Sequence, residues 1–320
     1  MRLLGISTFL AILFSSTQIF AQSNYVGVET CQTCHEAESA KYKKTKHANI
    51  PKTASTRQDS AVGCETCHGP GKAHVDAVSS GVGDAAKLIF SFKANPKQNA
   101  EKCIQCHQSK LDQRAFSHSP HLQRGVACSS CHTMHQTEKI KNIKLVTAGS
   151  ARTEPALVVR VSDDKRWLDN KLLKEPQPKL CFSCHTNIQS QFSLPTHHRV
   201  PEGIMKCTDC HNTHGTSNRA TLRQTGWETC VKCHTEKRGP FTFEHSAVKV
   251  EGCVACHTPH GSVNQNLLVR RESRFLCLQC HVNPSAVNVP HGRLGFQTRG
   301  ECVRCHVSIH GSNFSPFFIQ

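Results

Sequence analysis

The residues of this chain best suited to chemistry are cysteine and histidine, 20 and 22 among 320. Every cysteine falls in a C-x-x-C-H unit, and there are ten such units. The first four are Cys31, Cys34 and His35; Cys64, Cys67 and His68; Cys103, Cys106 and His107; and Cys128, Cys131 and His132. The other six are Cys181, Cys184 and His185; Cys207, Cys210 and His211; Cys230, Cys233 and His234; Cys253, Cys256 and His257; Cys277, Cys280 and His281; and Cys302, Cys305 and His306. A disulfide framework would account for paired cysteines in an exported protein, but not for a histidine behind each pair. Composition alone would place histidine there ten times out of ten with a probability on the order of 10⁻¹². Zinc fails on the same point, because a thiolate pair needs no histidine directly after it.

C-x-x-C-H is the attachment motif of c-type haem. Two thiols three residues apart on one helical turn can each form a thioether to a porphyrin vinyl group, and the next residue turns its imidazole to the iron. The expected cofactor is therefore haem c, ten groups covalently bound, about one for every 30 residues. That density explains the rest of the composition. Hydrophobic residues are 37% of the chain with the cysteines included, and aromatics only 6%. A chain of this length with so little apolar matter needs something non-protein in its interior. The expected fold is a multihaem cytochrome c: mostly irregular chain with short α-helices wrapped round a haem array, little β-structure, elongated, in five two-haem repeats.

Charge is explained by the same count. The formal balance is +16, or +15 once Arg2 is removed with a signal segment. Ten haems with their propionates bring roughly −10 to −20 by formal charge. The lysines and arginines are thus read as propionate partners and solvated surface, and nucleic-acid binding is excluded.

The second axial ligand decides between conductor and catalyst. Only Met134 and Met205 would remain as methionines in the mature chain, so histidine has to dominate. Twelve histidines lie outside the motifs, with two close pairs, His118/His121 and His197/His198. Taking one of each pair, the candidates are His47, His74, His135, His214, His245, His260, His291 and His310 plus one from each pair. The chain then resolves into five copies of motif, histidine, motif, histidine, over residues 31–74, 103–135, 181–214, 230–260 and 277–310. The first free histidine lies 10 to 14 residues after its motif histidine and the second 3 to 6. A histidine one turn from its motif histidine, as at His132/His135, His211/His214 and His257/His260, cannot reach the opposite face of the same porphyrin. It is expected to ligate the iron of a neighbouring haem, which makes a quasi-linear array.

The motifs also set the organisation of the chain. Residues 1–21 read as a secretory signal peptide, with Arg2, an apolar stretch and a small residue at Ala21. Residues 22–135 carry repeats 1 and 2 with four haems, and 181–320 carry repeats 3 to 5 with six. Residues 136–180 form a haem-free linker or insertion, β-prone around Leu145-Val146 and 156–161 and punctuated by Pro155, Pro176 and Pro178. The apolar run 88–92 reads as a short strand or packing segment.

The fivefold order, with CHTEKRGPFTFEH, CVACHTPHGSVN, CTDCHNTHGTS and CVRCHVSIHGSN, closely resembles the periplasmic decahaem cytochromes of the MtrA/DmsE family. The resemblance runs from about Gly27 to Asn313 and is strongest after Cys181. It implies bis-histidine haems in a wire, with His121 and His198 as the ligands from the two close pairs, in line with reading His118 and His197 as surface or supporting groups. It implies a periplasmic location associated with the outer membrane and a β-barrel porin as sheath. It further implies a periplasmic or inner-membrane cytochrome as electron donor, and an extracellular multihaem cytochrome or terminal reductase as the far partner. The departure is the 136–180 stretch, where the family has a much shorter link. The expected function is an electron-transfer wire without a substrate site of its own, not an enzyme. A soluble periplasmic carrier or reservoir is the alternative. A multihaem reductase stands last, since no motif is altered to open an iron and distal histidines are in surplus.

Overall fold

The C-x-x-C-H unit folds as a single α-turn. The histidine N–H donates to the carbonyl of the first cysteine, at 2.8 Å in His132, 2.9 Å in His257 and 3.1 Å in His234. Positions i, i+3 and i+4 of one turn share a face, so both thiols and the imidazole of a motif point to the same side. In this computed structural model, residues 24–49, 63–93, 95–109, 113–135, 172–281 and 300–319 are described. The signal segment, the β-prone runs of the haem-free stretch and His291 lie outside them.

The backbone just past the turn distinguishes the two motifs of a repeat. After His35 and His185 a second helix starts at once, Glu36–Lys43 and Thr186–Phe192, with the histidine at its N-cap position. After His132 and His211 the backbone becomes extended, at φ −106°, ψ 152° and φ −104°, ψ 142°. The longest helix among the described residues, Pro96–His107, ends in a motif. Its start is fixed by the Asn95 side chain, which accepts from the Lys97 N–H at 2.8 Å, and by Pro96 in the first turn. Among the described residues β-structure is limited to isolated bridges. Short helices, irregular chain and repeated motifs are the multihaem cytochrome c architecture.

The chain divides into two compact bodies, residues 1–91 and 92–320. In the first, Glu65 sits inside motif 2 and is buried. Its carboxylate accepts from the N–H groups of Val26 at 3.0 Å, Gly27 at 2.8 Å and Gly71 at 2.7 Å. One side chain thereby ties the chain entering motif 1 to the helix turn after motif 2. The apolar run 88–92 also returns to motif 2: Phe90 N–H donates to the His68 carbonyl at 3.0 Å.

In the second body, the extended chain after a repeat's second motif closes a hairpin. Bridges pair His211 with Leu222 and His257 with Leu268. His132 pairs with Leu173 in the same way, and Thr133 N–H donates to the Leu172 carbonyl at 2.8 Å. The described chain from Leu172 onward therefore pairs with motif 4 itself. The His257 hairpin also packs on the preceding repeat through the bridge Thr196–Ser262, and the segment after motif 10 does so through Phe243–Ser312. The approach is close enough to require glycine. A Cβ on Gly261 would meet the Gln191 carbonyl, and one on Gly311 would meet the Phe241 ring.

Apolar burial among the described residues is confined to Ala100, Phe116, Ala127, Phe192, Val200 and Val231. Fully burying a Phe or Val contributes about 1.5–3 kcal/mol, while ordering each backbone residue costs about 1–2 kcal/mol. Side chains alone do not make this core. Polar clamps such as Glu65 therefore carry unusual weight. Glu65→Ala should leave three backbone donors without their acceptor, at about 1–3 kcal/mol each. Hydrogen exchange at the Val26, Gly27 and Gly71 amides is expected to accelerate sharply, with Glu65→Gln giving a smaller effect.

Candidate haem-ligand array

Two imidazoles on opposite sides of one metal ion stand about 6.2 Å apart, centre to centre, because each nitrogen bonds at about 2.0–2.1 Å and lies about 1.1 Å from its ring centre. Among the described residues, seven histidine pairs have that spacing. His35 faces His74 at 6.3 Å, His185 faces His121 at 6.2 Å, and His132 faces His214 at 6.2 Å. His234 faces His198 at 6.3 Å and His211 faces His260 at 6.1 Å. His281 faces His245, and His257 faces His310, each at 6.3 Å. Ordinary aromatic pairs scatter over about 4.5–7 Å, and ring pairs that involve a phenylalanine here spread from 5.4 to 6.3 Å. The histidine pairs fall within 0.2 Å of one another. Each also joins one motif histidine to one free histidine.

The pairing crosses repeats in six of the seven. The first free histidine of a repeat reaches forward to the first motif of the next: His121 to His185, His198 to His234, His245 to His281. The second free histidine reaches back to the second motif of the repeat before: His214 to His132, His260 to His211, His310 to His257. Neighbouring repeats thus exchange imidazoles reciprocally. His214 and His260, each three residues past a motif histidine, face a motif histidine of the preceding repeat. The pair His35–His74 lies within the first repeat.

Backbone carbonyls fix the rings. His121 Nδ1 lies 2.9 Å from the Thr213 carbonyl, His198 Nδ1 2.6 Å from Pro259 and His245 Nδ1 3.0 Å from Ile309. Each acceptor is the residue directly before the second free histidine of the next repeat. His211, His257 and His74 face the carbonyls of Ala220, Asn266 and Ala85 at 2.7 to 2.8 Å. An Nδ1–H held by a carbonyl leaves Nε2 as the metal-facing atom. Burial also favours the neutral, ligating form. It lowers the pKa of His185 and His260, with neighbouring histidines adding to the effect, and takes His310 down to about 4 together with Lys237, His257 and His245.

The thiols order the motifs in space. Hydrogen bonds join Cys103 to Cys128, Cys181 to Cys207 and Cys230 to Cys253, raising the first thiol of each pair. Burial raises Cys31 and Cys277 to about 11, with Cys64 and Cys302 as the next contributors. Across repeat boundaries, burial raises Cys131, Cys210 and Cys256, and Cys184, Cys233 and Cys280 add to the rise. In the second body, then, the thiols that influence one another follow motif order, alternating between first and second cysteines. The residues fit haem c: paired thiols on one face of a turn, and imidazoles placed to close both sides of an iron.

The remaining candidates occupy other settings. His68 Nδ1 meets the Phe90 carbonyl at 2.9 Å, and His306 Nδ1 meets that of Phe317. His47 accepts at its carbonyl from Tyr42 Oη at 2.6 Å, His107 ends the helix Pro96–His107, and the His135 carbonyl accepts from Thr133 Oγ1 at 2.8 Å. His118 is exposed. Both ring nitrogens of His197 have protein partners, the Leu194 carbonyl at 2.6 Å and Glu202 at 2.9 Å, and the Glu202 hydrogen bond raises its pKa. The carbonyl acceptors had no place in the sequence reading. Their only trace is the recurrence of H-G-[ST] with Asn218, Asn264 or Asn313 close behind.

Comparison with known proteins agrees with the motifs. The family model described as doubled CXXCH motif matches residues 197–239 and 245–286. The one described as cytochrome c-type protein NrfB-like matches 64–148, and cytochrome c554 and c-prime matches 30–61. The chain is 32% identical over 311 residues to the multiheme cytochrome MtrA of Shewanella baltica, covering 92% of this chain and 81% of that protein. It is 22% identical over 300 residues to the C-type polyheme cytochrome OmcB of Geobacter sulfurreducens, covering 84% of this chain but only 37% of OmcB. With covalent haem c as its cofactor and electron transfer as its business, the chain belongs to the MtrA family of multihaem c-type cytochromes.

Proposed function

We propose that this protein is a decahaem, bis-histidine electron wire in the periplasm at the outer membrane. It passes electrons through a β-barrel porin to or from a redox partner outside the cell. A periplasmic or inner-membrane cytochrome exchanges electrons with its inner end, and an extracellular multihaem cytochrome or terminal reductase with its outer end. The observation that carries this reading is the set of seven histidine pairs at 6.1 to 6.3 Å, each with a motif histidine on one side. Bound haem c supplies reversible one-electron chemistry at iron. The chain's own part is to hold each iron from both faces, which leaves no position for a substrate and argues for conduction over catalysis. His47, His135 and His291 are assigned the same distal role, with His68, His107 and His306 proximal.

Exchange of imidazoles between repeats serves conduction directly. A repeat cannot drift from its neighbour without withdrawing two ligands, so adjacent haems are held at fixed short range. Crossing the membrane needs a second component. Among the described residues no helix is long and apolar enough to span a bilayer, and a charged surface is costly to place in hydrocarbon. A barrel with a polar lumen accepts such a surface.

The ligand exchange is open to a test in variants. His214→Ala should add one high-spin iron to the wild-type spectrum and one to His211→Ala, but none to His132→Ala, whether or not haem stays attached at the altered motif. A new high-spin iron in the His132→Ala background but not in His211→Ala would make each repeat self-contained.

Conduction is tested in liposomes holding a reduced dye with a ferric acceptor outside. Dye oxidation should require this protein and a barrel partner together. Equal oxidation with the barrel alone would sink the conduit. A protein that binds no barrel yet exchanges electrons rapidly in solution would be a soluble carrier instead.

A further inference from the structure

Two hairpins of the array contain consecutive non-glycine residues in the left-handed region. They are Ala220 and Thr221, at φ 52° and 54°, and Asn266 and Leu267, at φ 54° and 56°. L-residues visit this region rarely, and a β-branched one such as Thr221 only under constraint. The two turns stand in register. Ala220 and Asn266 each lie nine residues after the histidine they serve, His211 and His257. In both, the first left-handed carbonyl faces the imidazole Nδ1, at 2.8 Å from His211 and 2.7 Å from His257. The second accepts from the backbone N–H after that histidine, Asn212 at 2.8 Å and Thr258 at 2.7 Å.

The conformation is anchored from beyond the turn. The Leu222 carbonyl accepts from Thr216 Oγ1 and Asn218 Nδ2, and the Leu268 carbonyl from Ser262 Oγ and Asn264 Nδ2. Strain held in place by a surrounding network is found where an atom must be aimed. Here the aimed atom is a carbonyl oxygen, and its target is the far side of an axial imidazole.

We propose that Ala220 and Asn266 are positioning residues that set the redox potentials of the haems ligated by His211 and His257. The inference rests on the bis-histidine reading above. A carbonyl accepting from Nδ1–H makes the imidazole more basic, and a more basic ligand favours ferric over ferrous iron. The left-handed turn thereby holds both haems at lower potential than the same ligands without the acceptor.

The test is a spectropotentiometric titration of the full mature protein carrying Ala220→Pro or Asn266→Pro. Proline fixes φ near −65° and cannot occupy the left-handed turn. Each variant should stay low-spin while one redox component moves to higher potential. The expected size is about tenfold in the reduced-to-oxidised ratio, or about 59 mV for one electron. Ala220→Gly and Asn266→Gly, which permit the same backbone, should restore the wild-type titration. Low-spin proline variants with unshifted potentials would overturn the proposal and leave bis-histidine ligation intact. A high-spin haem in the proline variants, or their failure to mature while the glycine variants do, would make the turn a ligation or folding element and also overturn it. A substantial high-spin fraction in the wild type would instead strike the bis-histidine reading itself.

Discussion

An iron in a porphyrin plane takes its two axial ligands from opposite sides, and a motif histidine with its two cysteines occupies only one of them. With bis-histidine ligation as proposed, the second imidazole has to come from a segment that passes over the other face. In this chain the segment belongs to a neighbouring repeat in six of the seven described pairs. Much of the local structure stems from that requirement. The chain after a second motif carries a histidine backward, at His214, His260 and His310, and the chain after a first motif carries one forward, at His121, His198 and His245. Glycine stands behind His260 because the Gln191 backbone meets it there, and behind His310 because the Phe241 ring does.

The same requirement explains how so thin a core suffices. Few apolar side chains are buried, and order comes from closures that each engage several groups at once. Glu65 gathers three amides. The Thr213 residue turns its carbonyl to His121 while the next residue, His214, faces His132. A single dipeptide therefore steadies one ligand pair and supplies the other. Such double duty couples the geometry of adjacent haem sites, which is what a conductor needs and a scaffold for independent sites does not.

Much of this was legible in the sequence. The ten motifs, the fivefold order and the covalent haem are read from cysteine and histidine spacing alone. Helix geometry also points His135, His214 and His260 toward neighbouring haems; among the described residues, His214 and His260 face motif histidines of the preceding repeat. The direction of exchange was not legible, because it depends on which hairpin packs on which segment. Glu65 occupies a variable position of its motif, and nothing local announces that it gathers three amides outside the motif. The turns at Ala220 and Asn266 were hidden for a different reason: a left-handed pair without glycine leaves no compositional mark. The stretch 136–180 read as a linker or insertion, and only the return of Leu173 to His132 ties its end to motif 4.

Reciprocal ligand exchange is tested most directly by anomalous diffraction at the iron edge from crystals of the mature protein. Ten iron peaks are expected. Among them, one should lie between His132 and His214, one between His211 and His260, and one between His257 and His310, in motif order. An iron between His211 and His214, or any of these irons with a histidine on one side only, would contradict it.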